Sequence, residues 1–335
     1  MVCGMSSSNA SKLLVNGAKG VSASKVGVPA NTQLTAIEFL CARFPAIQRE
    51  VWLQRFDAGR VLNGMGQAIA IDQCLLGESH LHYFREVTDE PTLPFKAEVI
   101  FQDAHLVVAD KPHFMPVTPG GQYVQQSLLV QLKQQLNLPE LSPIHRIDRE
   151  TAGLVVFSVR AQDRDAYQSL FRLRQVEKTY EAIAGAPESS PLRLEFPLTH
   201  KSRMVEDVQF FRMREVVATD DDISNSFNSE TWINCVERLS SGRTGMHLEN
   251  KATPALAKYI LKPVTGQRHQ LRVHMNALGL PLLGDQFYPM VKRAANEVDD
   301  FNSPLQLLAK TISFKDPFTG AARIFESRQQ LVLPA

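Results

Sequence analysis

His145-Arg146-Ile147-Asp148-Arg149-Glu150-Thr151-Ala152-Gly153, running on into Leu154-Val155-Val156-Phe157, places a carboxylate between two arginines just before an apolar strand. Neighbouring cations favour the charged form of a carboxylate. An aspartate held in this way can be a nucleophile, an electrostatic stabiliser or a metal ligand. A turn braced by ion pairs gives the same pattern without chemistry. On the N-terminal side, Val99-Ile100-Phe101 and Leu106-Val107-Val108-Ala109 are short apolar strands around the turn Gln102-Asp103, and Lys111-Pro112 ends the second. Ser127 to Leu136 has Leu128, Leu129, Leu132 and Leu136 on one side, the pattern of an amphipathic helix. On the C-terminal side, Gly153 to Val159 is a strand. Ala161 to Arg174 is a helix with Tyr167, Leu170, Phe171 and Arg174 at helical spacing, and Lys178 to Ala184 alternates like a half-buried strand. Ala257 to Leu261 adds a strand, His269 to Leu278 a helix closed by Gly279, and Leu305 to Phe325 a strand pair around Lys315-Asp316-Pro317. Strands and helices mix without regular alternation. This predicts an α+β fold with a mixed, largely antiparallel sheet rather than a doubly wound parallel one.

A second cluster is Thr265-Gly266-Gln267-Arg268-His269-Gln270-Leu271-Arg272-Val273-His274. No acid lies between Glu249 and Asp285, while Lys251, Lys258, Lys262, Arg268 and Arg272 do. The four-residue spacing of Arg268 and Arg272 places them on one helix face. Such a face attracts phosphates or a carboxylate such as Asp148, or is simply a solvated positive surface. Lys178 and Tyr180 share one strand face, where a tyrosine stacks on a base or fills the core. His145, His269 and His274 with Asp148 lack zinc-site spacing, so no metal is expected. Residues 203 to 251, with Asp220, Asp221 and Asp222, form an extended hairpin or an insertion.

The N-terminal third differs in character. Residues 1–30 are expected to be a disordered leader. Residues 31–93 hold a small α/β domain, with Ile37, Phe39, Leu40 and Phe44 on one helix, a second helix near Glu50 to Phe56, and turns around Ala58-Gly59-Arg60-Val61-Leu62-Asn63-Gly64. Residues 94–335 form the larger domain. Basic and acidic residues nearly cancel, 36 against 35, so a nucleic-acid surface requires basic groups gathered on one face. No apolar run approaches the ~20 residues of a membrane span. The four cysteines stand far apart with no C-x-x-C pair, which argues for a reducing, cytoplasmic setting and against a zinc module.

These residues together resemble the RluA-type family of RNA pseudouridine synthases. The stretch from His145 to Gly153 is similar to its catalytic signature, Asp103 through Lys111-Pro112 to its entry strands, and Glu177-Lys178-Thr179-Tyr180 to its Lys-x-Tyr motif. Thr265 through His274, then Gly279 to Asp285 and Tyr288, resembles its third motif. Ile147, Ala152, Gln267, Arg268 and Leu308-Ala309 depart from the usual residues, which bears on subfamily and substrate rather than on the reaction. The small domain resembles the alpha-L RNA-binding domain through Arg49, Trp52, Gly59-Arg60-Val61 and Asn63-Gly64, with Arg43 and Arg55 as further basic residues.

The resemblance implies a monomeric, cofactor-free isomerase that turns uridine into pseudouridine in ribosomal RNA or tRNA. Asp148 is then the nucleophile, attacking the ribose or the base or removing a ribose proton. Arg272 pairs with Asp148, and Tyr180 stacks on the uracil. Arg146 fills the space left by the flipped base, while Lys111, Lys178, Arg149 and Arg268 contact phosphates. His145 and Gly153 shape the catalytic turn. The competing readings are a non-catalytic RNA-binding protein on the same fold and a metal-dependent hydrolase using His145, Asp148, His269 and His274.

Overall fold

The apolar run after Gly153 becomes part of the middle of a ten-stranded sheet. The computed structural model describes residues 21–85, 87, 89–208, 212–216, 227–239, 255–292, 297 and 299–332. Two compact units emerge: residues 1–92 with 118–141, and residues 93–117 with 142–335.

In the first unit, β1 (Ser24–Gly27) and β2 (Val61–Leu62) flank β3 (His80–Tyr83). Helix α1 (Ala36–Arg43) starts at a capping box, where the Thr35 backbone N–H donates to Glu38 at 2.9 Å and the Glu38 N–H donates back to the Thr35 hydroxyl at 3.4 Å. Helix α2 (Arg49–Asp57) supplies Trp52, fully buried against Phe44 and Tyr83. Strand β1 lies inside the stretch expected to be a disordered leader. It is ordered because Val21, Val26 and Val28 are apolar enough to be buried and the strand pairs with β3. Residues 1–20 of that leader lie outside the described residues. Helix α3 (Leu128–Leu136), expected in the larger domain, belongs to this unit. The Glu90 carboxylate accepts the N–H groups of Val124, Gln125 and Gln126 at 2.6–2.8 Å, and Lys133 donates to Ser22 at 2.7 Å.

The second unit holds β4 (Glu98–Gln102), β5 (Leu106–Lys111), β6 (Ser142–Pro143), β7 (Ala152–Ser158), β8 (Val176–Gly185), β9 (Leu198–Ser202), β12 (Ser229–Leu239), β13 (Leu256–Pro263), β14 (Leu307–Lys315) and β15 (Ala322–Glu326) in one sheet. Between them β10 (Met204–Glu206) and β11 (Met213–Glu215) form a separate hairpin. The main order is β4-β5-β7-β14-β8-β13-β12-β9, with β15 on β14 and β6 on β7. Among the described residues, every strand pairing is antiparallel except β14 with β7. The expected mixed, largely antiparallel α+β sheet is therefore what forms. Within residues 203–251 the hairpin and the whole of β12 form; residues 209–211, 217–226, with Asp220 to Asp222, and 240–251 lie outside the described residues.

The parallel join explains Gly153. Its φ is +109°, and a Cβ there would sit 2.3 Å from the carbonyl oxygen of Ala309. Only glycine lets the two backbones approach this closely. The join fixes where the turn carrying Asp148 leaves the sheet. Strand β7 is buried on both faces, as its unbroken apolar run requires. Helix α4 (Arg164–Arg172) covers one region with Tyr167 and Leu170 against Leu106, Leu154, Val156 and Phe314. Helix α5 (Gln270–Ala277) covers another, with Leu271 and Met275 against Ala182, Tyr259 and Leu261. It closes at Gly279, with φ +70°, as the sequence predicts.

Candidate active site

The loop between β6 and β7 is held rigid from three directions. The His145 ring stacks on Phe171, with centroids 4.7 Å apart, and its Nε2 accepts the Val156 N–H at 3.1 Å. Burial first, and the charge of Lys178 second, push its pKa down to about 3. The neutral imidazole thus acts as an acceptor within the fold. Lys111 is fully buried beneath the loop, donating to the carbonyls of Arg149 at 3.0 Å and Pro112 at 2.9 Å. Burial brings its pKa down to about 7, against the opposing pull of Glu150 and Asp148. The third hold is the turn itself, where the Thr151 N–H donates to the Asp148 carbonyl.

The state of His145 makes stability depend on pH. The native state favours the neutral ring, while the unfolded chain takes up a proton as pH falls below 6.5. Stability present above that pH is therefore lost on acidification, by roughly 2 kcal/mol between pH 6.5 and 5. Urea unfolding of wild type and His145→Gln across this range should show a flatter curve for the variant; parallel curves would refute the assignment.

Arg272 is the pivot of the site. Its guanidinium, fully buried on α5, makes a two-pronged bond to Asp285, Nε at 2.9 Å and NH2 at 2.7 Å. Asp285 also accepts the N–H groups of Phe287 and Tyr288. The third nitrogen, NH1, faces Asp148 at 3.4 Å and Glu150 at 3.8 Å. The expected pairing of Arg272 with Asp148 exists, but as its second contact, because Asp285 takes the bidentate position. Burial disfavours the charge of Glu150; the fields of Arg272 and Arg149 outweigh it and hold this carboxyl below its usual range. Burial likewise opposes the charge of Arg272, and Asp285, Asp148 and Glu150 overcome it, leaving its pKa raised.

Asp148 keeps 23% of its side chain exposed and opens into a cavity of about 540 Å³. That volume falls in the range of small-ligand sites and admits one nucleotide. Tyr180 lines it; burial and then the Asp148 charge raise its pKa, so it stays a protonated phenol. Lys178 lines it too, donating to the Thr265 carbonyl at 3.3 Å, with burial lowering its pKa to about 8. Arg146, Arg172 and Arg174 complete a cationic wall. Among the described lining residues Asp148 is the single acid.

The remaining predicted site residues fall elsewhere. Arg149 turns from the cavity into a bidentate pair with Asp299, 2.6 and 2.9 Å, and a bond to Glu150. Neither it nor Lys111 lines the cavity; Lys111, fully buried, has no exposed surface for the expected phosphate contact, and Arg149 is engaged by Asp299 and Glu150. Arg268 is exposed, 3.4 Å from Glu206, and also outside the lining. It does not share a helix face with Arg272. His269 adopts a left-handed conformation, φ +56°, and α5 begins only after it. His145, Asp148, His269 and His274 do not assemble into a metal cluster among the described residues.

Three contributors lie inside the quoted motifs but carry no assigned role there. Gln270 accepts from the Thr265 hydroxyl at 2.7 Å and the Gln267 N–H at 3.0 Å, and donates to the Glu230 carbonyl and Thr231 hydroxyl, each at 2.9 Å. It ties the loop at one wall of the cavity to β12, and nothing local marks it. Glu150 stands in the His145 to Gly153 stretch as one more charge of a turn that ion pairs could brace. Asp285 did carry a signal, since it is the first acid after a long basic stretch.

Comparison with known proteins shows the family. A family model described as RNA pseudouridylate synthase fits residues 105–277, just over half of the chain. The dual-specificity RNA pseudouridine synthase RluA of Vibrio vulnificus is 31% identical over 229 residues, 68% of this chain and 80% of that one. An uncharacterized RNA pseudouridine synthase of Synechocystis is 27% identical over 252 residues, 75% of this chain and 78% of its own. Among solved structures, human RNA pseudouridylate synthase domain containing 1 superposes with a TM-score of 0.52 at 21% identity, covering 72% of this chain and 86% of that one, a likeness of fold. With the family model spanning the Asp148 turn, the Tyr180 strand and the Arg272 helix, this chain belongs to the RNA pseudouridylate synthases of RluA type, which are isomerases.

Proposed function

We propose that the chain isomerises selected uridines of ribosomal RNA or tRNA, with Asp148 as the nucleophile. The observation that carries this reading is the placement of Asp148 as the one acid in a cation-lined cavity, with a buried guanidinium 3.4 Å behind it. The carboxylate attacks the ribose or the base, the N-glycosidic bond breaks, the uracil turns, and a carbon–carbon bond to the ribose forms. No redox change or outside group is required.

A uridine reaches Asp148 only by leaving its stack, at a cost of a few kcal/mol, least in a single-stranded loop. Arg146, exposed at the cavity, is placed to fill the vacated space. Tyr180 supplies a ring for the uracil and a phenolic proton. Lys178, Arg172 and Arg174 supply positive charge for phosphates, which position RNA without specifying its sequence. The first unit is assigned to RNA binding, with one revision of its residues. Trp52 is core, and Arg55 lies 4.6 Å over its ring, so neither presents a free surface to RNA. The spacing of the cysteines supports a reducing, cytoplasmic setting, where the enzyme acts as a monomer.

The relatives named as dual-specificity make it worthwhile to test more than one RNA class. Purified chain, incubated with total tRNA and ribosomal RNA without added metal or nucleotide, should form pseudouridine at one or a few loop uridines. Mapping of stable RNAs from a deletion strain should lose the same positions. Failure on every RNA class of its own cell would favour the non-catalytic reading.

A further inference from the structure

We propose that His200, Glu215 and His274 form a binding site for a divalent transition-metal ion of the zinc type, one that clamps the β10–β11 hairpin to helix α5. The site lies apart from the catalytic cavity, since none of the three lines it. His200 comes from β9, Glu215 from β11 and His274 from α5. His200 Nε2 is 2.8 Å from Glu215 Oε1, His274 Nε2 is 3.9 Å from the same oxygen, and all three donor atoms fall within 4.8 Å of one another.

Zinc holds nitrogen and carboxylate donors at about 2.0–2.2 Å, so the donors of a tetrahedral site stand roughly 3.3 Å apart. Small torsional changes of His200 and Glu215 bring the three to that spacing. Two imidazoles and one carboxylate suit zinc and its neighbours in the transition series, whereas magnesium and calcium favour oxygen alone. The ring of His274 is already oriented. Thr231 Oγ1 sits 2.9 Å from its Nδ1, and Gln270 donates to that hydroxyl in turn. This is the outer-shell support that metal-bound histidines use to aim the other nitrogen. Here that nitrogen, Nε2, faces Ser229 and Ser202 hydroxyls at 3.0 and 3.2 Å and the Glu215 carboxylate beyond. His200 and Glu215 each keep about a fifth of their side chains exposed, 21% and 20%, which gives an ion a way in.

The consequence lies in what the ion would join. His274 is two residues from Arg272 on α5. The hairpin already meets the segment after that helix, because the Tyr288 hydroxyl donates to the Met213 carbonyl and accepts its N–H. An ion at this point adds a link between sheet, hairpin and helix without entering the reaction.

Full-length protein stripped with a chelator and titrated with zinc against a chromophoric chelator should bind one ion per chain, with a Kd of about 1 μM or below. His200→Ala and Glu215→Gln should each weaken binding by about tenfold or more. Zinc should raise the melting temperature of wild type and leave that of His200→Ala unchanged. Equal zinc affinity in wild type and both variants, or equal thermal shifts, would overturn the proposal. So would a wild type that binds no zinc, leaving His200 and Glu215 as a simple hydrogen-bonded pair beside a core histidine.

Discussion

Replacing Asp148 by asparagine is expected to lower turnover by on the order of 10³-fold or more, because it removes the proposed nucleophile and leaves the shape in place. The fold should survive. Asp148 is partly exposed, and Asp285 keeps Arg272 in position without it. Affinity for RNA should not fall, since the change takes a negative charge out of a cavity lined by Arg146, Arg172, Arg174 and Lys178. Single-turnover conversion and RNA binding, measured on the same substrate, separate the two effects. A variant that turns over within tenfold of wild type would remove Asp148 from the chemistry. Equal loss of binding and turnover would make it a docking residue instead.

The second large effect is expected at Arg272. Arg272→Met strips the cation from three carboxylates at once and leaves Asp285 charged with no exposed side-chain surface. Breaking a buried pair in this way costs about 3–5 kcal/mol, which a shift of the urea midpoint would report. Turnover at a temperature where the variant is folded should fall by about 10² or more, because the charge opposite Asp148 is lost. Arg272→Lys should rescue little of either. An ammonium has no fork with which to hold Asp285 by two bonds and still offer a third nitrogen to Asp148. Near-complete rescue by lysine would mean that charge alone matters, and the geometry described here would lose its role.

Glu150 illustrates how the surroundings change the meaning of a residue. In the sequence it is one more charge in a turn. In the structure it is a carboxylate 3.8 Å from the Arg272 guanidinium and bonded to Arg149, which is in turn held by Asp299. The charges near Asp148 form one network, and substitution of any member is expected to couple to the others.

Strand positions were legible because a short, β-branched apolar run such as Leu154 to Phe157 fits a strand buried on both faces, and alternation as in Lys178 to Ala184 fits a strand with two unlike faces. The helix ending at Gly279 was legible because a left-handed closing residue favours glycine. The grouping of Asp148, Tyr180 and Arg272 about one cavity was legible as a set of motifs in order. Three things were not. The sequence cannot show that Gly153 stands against Ala309, since that contact joins segments more than 150 residues apart. It cannot show that a single left-handed residue, His269, delays the start of α5 and separates Arg268 from Arg272. Nor can it rank the partners of a buried arginine. Local patterning determines which residues are apolar, charged or able to turn the chain. Which carboxylate receives two hydrogen bonds and which receives one depends on distances of tenths of an ångström, and only the packed tertiary structure sets those.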